Sequence, residues 1–343
     1  MAIFNNKKEL ISANKVQVCG VLKEKKLDYT KDQSAIRGSF IVQYGQAPSD
    51  SIEFNLYVNR IKKDGKPNQK QWEQAEGIMK LVSTPEATEG SPADWVSITG
   101  NNGFTAKLSV NDRYMAQTDS FSSNARVELG FGTVNKITAN SRPAMAEFDI
   151  SCFLLEAPVE KINESTNTPY LEVQCGLVEY GGQAIPLTCV VKDKSLVRGM
   201  RRLKKGDTCN FWGIPRVAFI QEEKRKESSL GGQGKVEIVT HAYKEFEITG
   251  GDQITLQEPL GFEVFTSEVI TKSLAEREVK LEQLKNKMIE KENGSFRQGQ
   301  GGLGGFGGGG FNQASQNEFG QTPQSNQGGF GQGAGFGMKE IPF

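Results

Sequence analysis

The sequence predicts a mainly β protein, with two small barrels of Greek-key type, then one helix, then a disordered Gly-rich tail. Three observations predict it. Strand-like alternation dominates residues 1–255, helical spacing interrupts it only briefly, and the composition breaks at Asn293.

In order, Asn14–Leu22 sets Val16, Val18 and Gly20 on one parity, and Ile36–Tyr44 is apolar and aromatic. Ile52–Val58 alternates cleanly, with Ile52, Phe54, Leu56 and Val58 on one face and Glu53, Asn55 and Tyr57 on the other. Across Gln69–Val82 the period changes: Trp72, Ala75, Met79 and Val82 fall on one face of a helix, which places Trp72 in the core. Strands resume at Trp95–Gly100 and Phe104–Val110. Three strands, a helix and two strands suit a five-stranded Greek-key barrel, the OB-fold, assigned to residues 1–115. Periodicity alone also suits other small barrels and α+β arrangements.

A second OB-like domain is assigned to residues 120–255. Its strands are Arg126–Ile137, Met145–Leu155, Tyr170–Tyr180, Ile185–Lys192, Thr208–Gln221 and Val236–Ile248, with a short basic helix at Ser195–Leu203. The first two of these equally suit an extension of the first barrel. A helix is assigned to residues 260–292, where Ile270, Leu274, Leu281, Leu284 and Met288 form a stripe broken by Arg277. Such a stripe fits a helix packed on its own domain or a short coiled-coil contact between subunits. From Asn293 onward, 17 Gly in 51 residues, with only Arg297, Glu318, Lys339 and Glu340 charged, cannot bury enough surface to offset ordering entropy. Residues 293–337 are read as a disordered linker and 338–343 as a terminal tip.

Composition removes several function classes. Lys+Arg and Asp+Glu each number 41, and no run approaches the ~18 apolar residues of a membrane span. Met1–Lys8 lacks the apolar stretch of a signal peptide, so the expected location is the cytoplasm. Cys19, Cys152, Cys175, Cys189 and Cys209 never form a CxxC pair and read as reduced small hydrophobes. His241 is the only histidine, and it reads as structural. No phosphate-binding GxxxxGK[ST] loop is present, and Gly231–Lys235 reads as a hairpin loop. The expectation is a non-enzymatic protein without metal or cofactor.

Three stretches resemble the bacterial and phage single-stranded DNA-binding proteins. Asn14-Lys-Val-Gln-Val-Cys-Gly-Val-Leu22 is similar to that family's opening strand, with glycine at the barrel bend. Leu203-Lys-Lys-Gly-Asp-Thr-Cys-Asn-Phe-Trp-Gly213 resembles its Lys-Gly strand entry, although it lies in the second block. Met338-Lys-Glu-Ile-Pro-Phe343, after the Gly/Gln/Asn linker, resembles its acidic tip, with the aspartate run reduced to Glu340. The chain reads as an enlarged relative with two barrels. The resemblance implies sequence-independent binding and protection of single-stranded DNA in replication, recombination and repair. It also implies recruitment of DNA-processing proteins through Glu340, Ile341, Pro342 and Phe343. A homo-oligomer is left open, and no membrane partner is expected.

Binding a bare strand needs cations for phosphates and exposed rings for bases. Lys192, Lys194, Arg198, Arg201, Arg202, Lys204 and Lys205 stand against Asp193 alone, and Arg60, Lys62, Lys63, Lys66 and Lys70 stand against Asp64. Alternation makes Tyr57 the outward ring of its strand, whereas the resemblance sets Phe54 near a base-stacking position, so both are candidates. Trp212 shares a parity with Arg216, suggesting a platform with a phosphate partner, and Tyr44 lies near a loop. Two other readings stay open: an RNA-binding protein with a condensation-prone Gly/Phe tail, and a structural phage protein.

Overall fold

The computed structural model describes residues 3–4, 9–62, 64–98, 106–129, 134–164, 166–225, 236–255 and 264–298. Two short strands, β1 (Ile3–Phe4) and β2 (Leu10–Ile11), pair with each other ahead of the main sheet. The sheet then opens with β3 (Asn14–Tyr29), β4 (Ala35–Gln43) and β5 (Ser51–Asn59). On the paired β4 and β5, Ile36, Phe40, Val42, Ile52, Phe54 and Val58 are buried, whereas Arg37, Asn55, Tyr57 and Asn59 are exposed; of the outward parity, Ala35, Ile41 and Ser51 are buried as well. Helix α1 (Gln69–Met79) follows, and Ala75 and Ile78 are its buried residues. Lys25 on β3 reaches across to donate to the Met79 carbonyl at 2.6 Å, closing the end of α1 with a side chain. The chain continues through β6 (Trp95–Ile98), β7 (Ala106–Met115), β8 (Ser120–Leu129) and β9 (Asn135–Ile137).

Pairing closes a ring: β3 with β4, β4 with β5, β5 with β8 in parallel, β8 with β7, and β7 back to β3. A second ring repeats this order with β10 (Met145–Leu154), β12 (Thr168–Val178), β13 (Ala184–Val191), β14 (Thr208–Arg225) and β15 (Val236–Ile254); β11 (Val159–Asn163) pairs on the outside of β12. There β10 pairs β12, β12 pairs β13, β13 pairs β15 in parallel, β15 pairs β14, and β14 returns to β10. Helix α2 (Lys194–Met200) sits between its third and fourth strands, as α1 follows the third strand of the first ring. Each parallel closure is a single bridge, Asn55 to Glu128 and Val190 to Glu247, so both are partly open barrels of OB-fold order.

The strand pairing moves one boundary. β8 belongs to the first ring because its partner β7 and its parallel partner β5 are both there, so the joint falls after Ile137 and not at residues 115–120. The rings are fused edge to edge by β10 against β3, from Met145 opposite Cys19 to Ile150 opposite Asn14. One apolar core runs through both, from Val16 and Phe54 to Phe148 and Phe246. At Gly20 and Gly213, within the two motif strands, an added Cβ would overlap the carbonyls of Gln43 and Glu247, so neighbouring backbone approaches there only if the side chain is absent.

Compactness divides the chain into Met1–Asn286, which holds both rings, and Lys287–Phe343. Helix α3 (Ser267–Gln298) extends beyond the helix read over 260–292, into the segment read as linker. It packs on its own barrels. Val269, Ile270 and Leu274 join Leu10, Ile11, Phe153 and Phe265 in a small core over the second ring. The break at Arg277 has a partner: its guanidinium bonds both oxygens of Asp112 on β7, at 2.7 and 3.3 Å. All five cysteines are buried and free of disulfides. Among the described residues no helix is long and apolar enough to cross a membrane.

Candidate nucleic-acid interface

Two rings of one strand order offer two equivalent outer faces, and the chain uses them differently. In the second ring the third strand, β13, turns Pro186, Thr188 and Val190 away from the core, with no aromatic among them. Its turn end is covered by the small core of β2 and α3 around Phe153 and Val178. In the first ring the equivalent strand, β5, turns out Tyr57, 49% exposed, and the pairing sets Arg37 of β4 directly opposite. Neither side chain has an ion pair, hydrogen bond or ring partner among the described residues. Ser39 and Asn55 form the next cross-strand pair on this face, and Lys26 of β3 lies opposite Ser39.

Phe219 of β14, 47% exposed, reaches this face and lines a shallow depression with Glu24, Lys26, Ser39, Ile41 and Glu53. The Lys244 amine stands 5.7 Å from the Phe219 ring, within reach of a cation–π contact, and burial lowers its pKa from the usual lysine value. Two rings, three guanidinium or ammonium groups and the short polar side chains of Ser39 and Asn55 on one open surface can stack a base and meet a phosphate. Glu24 is balanced by Lys26 at 2.7 Å, but Glu53 has no cation partner among the described residues. Glu53 therefore opposes an anionic strand. Glu53→Gln should tighten oligonucleotide binding by roughly 0.2–1 kcal/mol, the size of an exposed charge interaction, with thermal stability unchanged, as read by fluorescence titration beside a melt.

The other candidates fall into three groups. Phe54 is fully buried and stacked on Phe40 at 5.2 Å between ring centroids, so it is a core residue and not a base platform. Alternation was the better guide on β5. Tyr44, Lys192 and Arg216 belong to the joint between the rings. The Tyr44 hydroxyl donates to the Pro215 carbonyl at 3.0 Å, and burial holds its pKa well above the usual tyrosine value, opposed by nearby Arg216. Arg216 pairs with Asp50 at 3.5 Å, Glu245 at 2.9 Å and Glu247 at 2.6 Å, and Lys192 shares Glu245 and Glu247. Three carboxylates against two cations leave no charge for a phosphate there, which corrects the expectation for both residues. Burial works against the Arg216 charge, yet its bonds to Glu247 and its charged neighbours raise its pKa overall.

The third group stays available. Lys194, Arg198, Arg202, Lys204 and Lys205 are exposed and form no ion pair among the described residues. Arg201 is exposed but pairs with Glu160 at 2.6 Å. Asp193 caps α2 by accepting from Ser195 and Leu196, which accounts for the lone acid in this basic run. In the first ring Arg60 stands 5.7 Å from the Trp72 ring, and Lys62 is exposed. Trp72 is half-buried, and its indole donates to Glu76 at 2.8 Å. The two basic groups lie on different rings. Trp212 is half-buried with its indole across Gly250, where an added Cβ would overlap the ring. Lys63 and the tip Glu340, Ile341, Pro342 and Phe343 lie outside the described residues.

Sequence reading missed Arg37, Phe219 and Lys244. Arg37 was within reach, because Ile36, Phe40 and Val42 face inward and fix the opposite parity as outward. Phe219 and Lys244 follow from cross-strand pairing of β14 with β15, which no local period announces.

No protein of curated function matches the sequence. The profile of the YorF family matches residues 12–287. Among solved structures, the wild-type single-stranded DNA binding protein from Thermus aquaticus aligns at 11% identity and a TM-score of 0.42, covering 74% of this chain and 98% of that one. A deletion mutant of the same Thermus protein aligns at 12% identity and 0.42, covering 74% and 99%.

Proposed function

The chain belongs to the YorF family, and we propose that it binds single-stranded nucleic acid, DNA in preference, along the open face of its first barrel. One observation carries the reading: Tyr57 and Arg37 stand directly opposite each other, exposed and unpartnered, on a strand pair whose third-strand counterpart in the second barrel, β13, turns no aromatic outward. An exposed ring beside a free guanidinium is costly to order unless a ligand uses it, and a base with its phosphate satisfies both. The free cations of the α2 segment extend the phosphate contacts onto the second ring.

In this reading the protein coats and protects single strands without sequence preference during replication, recombination or repair, and performs no chemistry. The Gly-rich linker and Ile341-Pro342-Phe343 serve as a tethered docking peptide for DNA-processing proteins, since lengthening a flexible tether adds little closure entropy.

The test is a titration with a dT oligomer at several salt concentrations. If Z phosphates are neutralised, the slope of log affinity against log salt should be about −0.7Z. Replacing Lys204 and Lys205 with Ala should flatten it by about 0.7 for each lost contact. Equal or tighter binding to duplex DNA would overturn the proposal. Tighter binding to a matched RNA oligomer would transfer the same site to RNA.

A further inference from the structure

Strands β14 and β15 belong to the second barrel, yet they run on past it as a two-stranded ribbon, paired from Val217 opposite Lys244 to Arg225 opposite Val236. The root of this ribbon is seated on the first barrel, where Val217 bridges Ile52 of β5 and both Val217 and Ala218 are buried. The next residue, Phe219, is exposed and lines the depression beside Ser39, Ile41 and Glu53. Ile41 and Glu53 form one cross-strand pair, Ser39 and Asn55 the next, and Arg37 and Tyr57 the one after. Tyr57 and Phe219 thus flank the Ser39–Asn55 pair, with one aromatic from each barrel.

Lys244 governs where Phe219 sits. It is half-buried, its amine donates to Oδ1 of Asn124 on β8 at 2.7 Å, and the same amine stands 5.7 Å from the Phe219 ring. A lysine that serves a phosphate points into water with its donors free. This one is engaged by a strand of the first barrel and by an aromatic of the second, and an ammonium over an aromatic face is held more firmly where water is partly excluded. It therefore ties the ribbon to β8 and fixes the ring at the edge of the depression. We propose that Phe219 is a second base platform, which the second barrel supplies to the face of the first, and that Lys244 is its positioning residue and not a phosphate contact.

This rests on strand binding by the open face and deepens it. The site becomes composite, because neither barrel alone presents both aromatics. A strand lying across Tyr57 and Phe219 touches both barrels, so its binding should also hold the ribbon against the first. With Lys244 engaged, the phosphate on this face falls to Arg37, which has no ion pair or hydrogen-bond partner among the described residues.

The test titrates the full chain and its variants with a dT oligomer at several salt concentrations, beside thermal melts. Phe219→Ala should weaken binding about 5–150-fold, the loss of one base stack, with its melt unchanged. Lys244→Met should weaken binding about 2–5-fold, the size of a partly exposed cation–π contact, and leave the salt slope as it was. Lys244→Arg should restore the parent affinity. In the Phe219→Ala background, Lys244→Met should change nothing further, because a residue that acts through another is not additive with it. Additive losses with a salt slope flatter by about 0.7 would make Lys244 a phosphate contact and overturn its positioning role. A melt lowered in step with the affinity of Lys244→Met would reduce it to a structural residue and overturn that role too. If the parent binds and Tyr57→Ala weakens it while Phe219→Ala does not, the second platform falls and the open face stands. A parent that does not bind the oligomer overturns both readings.

Discussion

Replacing Phe54 with Ala should cost about 3–5 kcal/mol of folding stability, the larger of two opposite effects expected three residues apart on one strand. Phe54 is fully buried and stacked on Phe40 at 5.2 Å, so truncation removes a ring from a close-packed core and the pairing of two rings with it. Tyr57→Ala should leave stability within about 0.5 kcal/mol, as surface changes do. It should instead weaken oligonucleotide binding by about 1–3 kcal/mol, the range for a lost base stack. Urea unfolding and fluorescence titration on both variants separate the two roles. If Tyr57→Ala bound as tightly as the parent, the open face would lose its platform. If Phe54→Ala folded normally and lost binding, the inward and outward assignments on β5 would be reversed.

Removing Arg277 should be comparably severe. Its side chain is 10% exposed and that of Asp112 is 9%, and Ser123 on β8 both accepts from Arg277 at 3.1 Å and donates to Asp112 at 2.6 Å. Taking one partner from a buried ion pair strands the other charge in a poorly solvated place, so Arg277→Ala or Asp112→Ala should each cost about 3–5 kcal/mol. Replacing both, Arg277→Met with Asp112→Leu, should recover most of that loss, because an apolar pair of similar volume needs no compensation. Urea melts of the three variants test this. Equal destabilisation by the double variant would mean that shape, and not the stranded charge, sets the cost. Lys285, ion-paired to Asp119 and 5.5 Å from the Tyr114 ring, continues the same docking line two turns along α3.

These two positions also show how far the sequence could be read. The face assignment on β5 was legible because strand side chains alternate by geometry, and a half-buried strand writes that alternation into its residue order. Helix α1 was legible for the same local reason, through the spacing of Trp72, Ala75 and Met79. Arg277 looked like a defect in an apolar stripe because its carboxylate lies on β7, far away in the chain. Lys192 and Arg216 looked like free cations for a matching reason. Their acids, Glu245 and Glu247, come from β15, with Lys192 and Glu245 separated by 53 residues.

By itself the sequence determined the mainly β character, the two helical interruptions before the last helix, the outward Tyr57 and the local excess of basic residues around α2. Each of these is set by contacts within a few residues, by strand or helix period, or by a local excess of one charge. Only the tertiary structure decided that β8 closes the first ring, that β10 fuses to β3, and that Arg216 is neutralised while Arg37 is not. It also decided that β2 and α3 cover the turn end of the second barrel's third strand. Those outcomes depend on strand pairing between distant segments and on which carboxylates that pairing delivers, and a chain carries no local period for its partners.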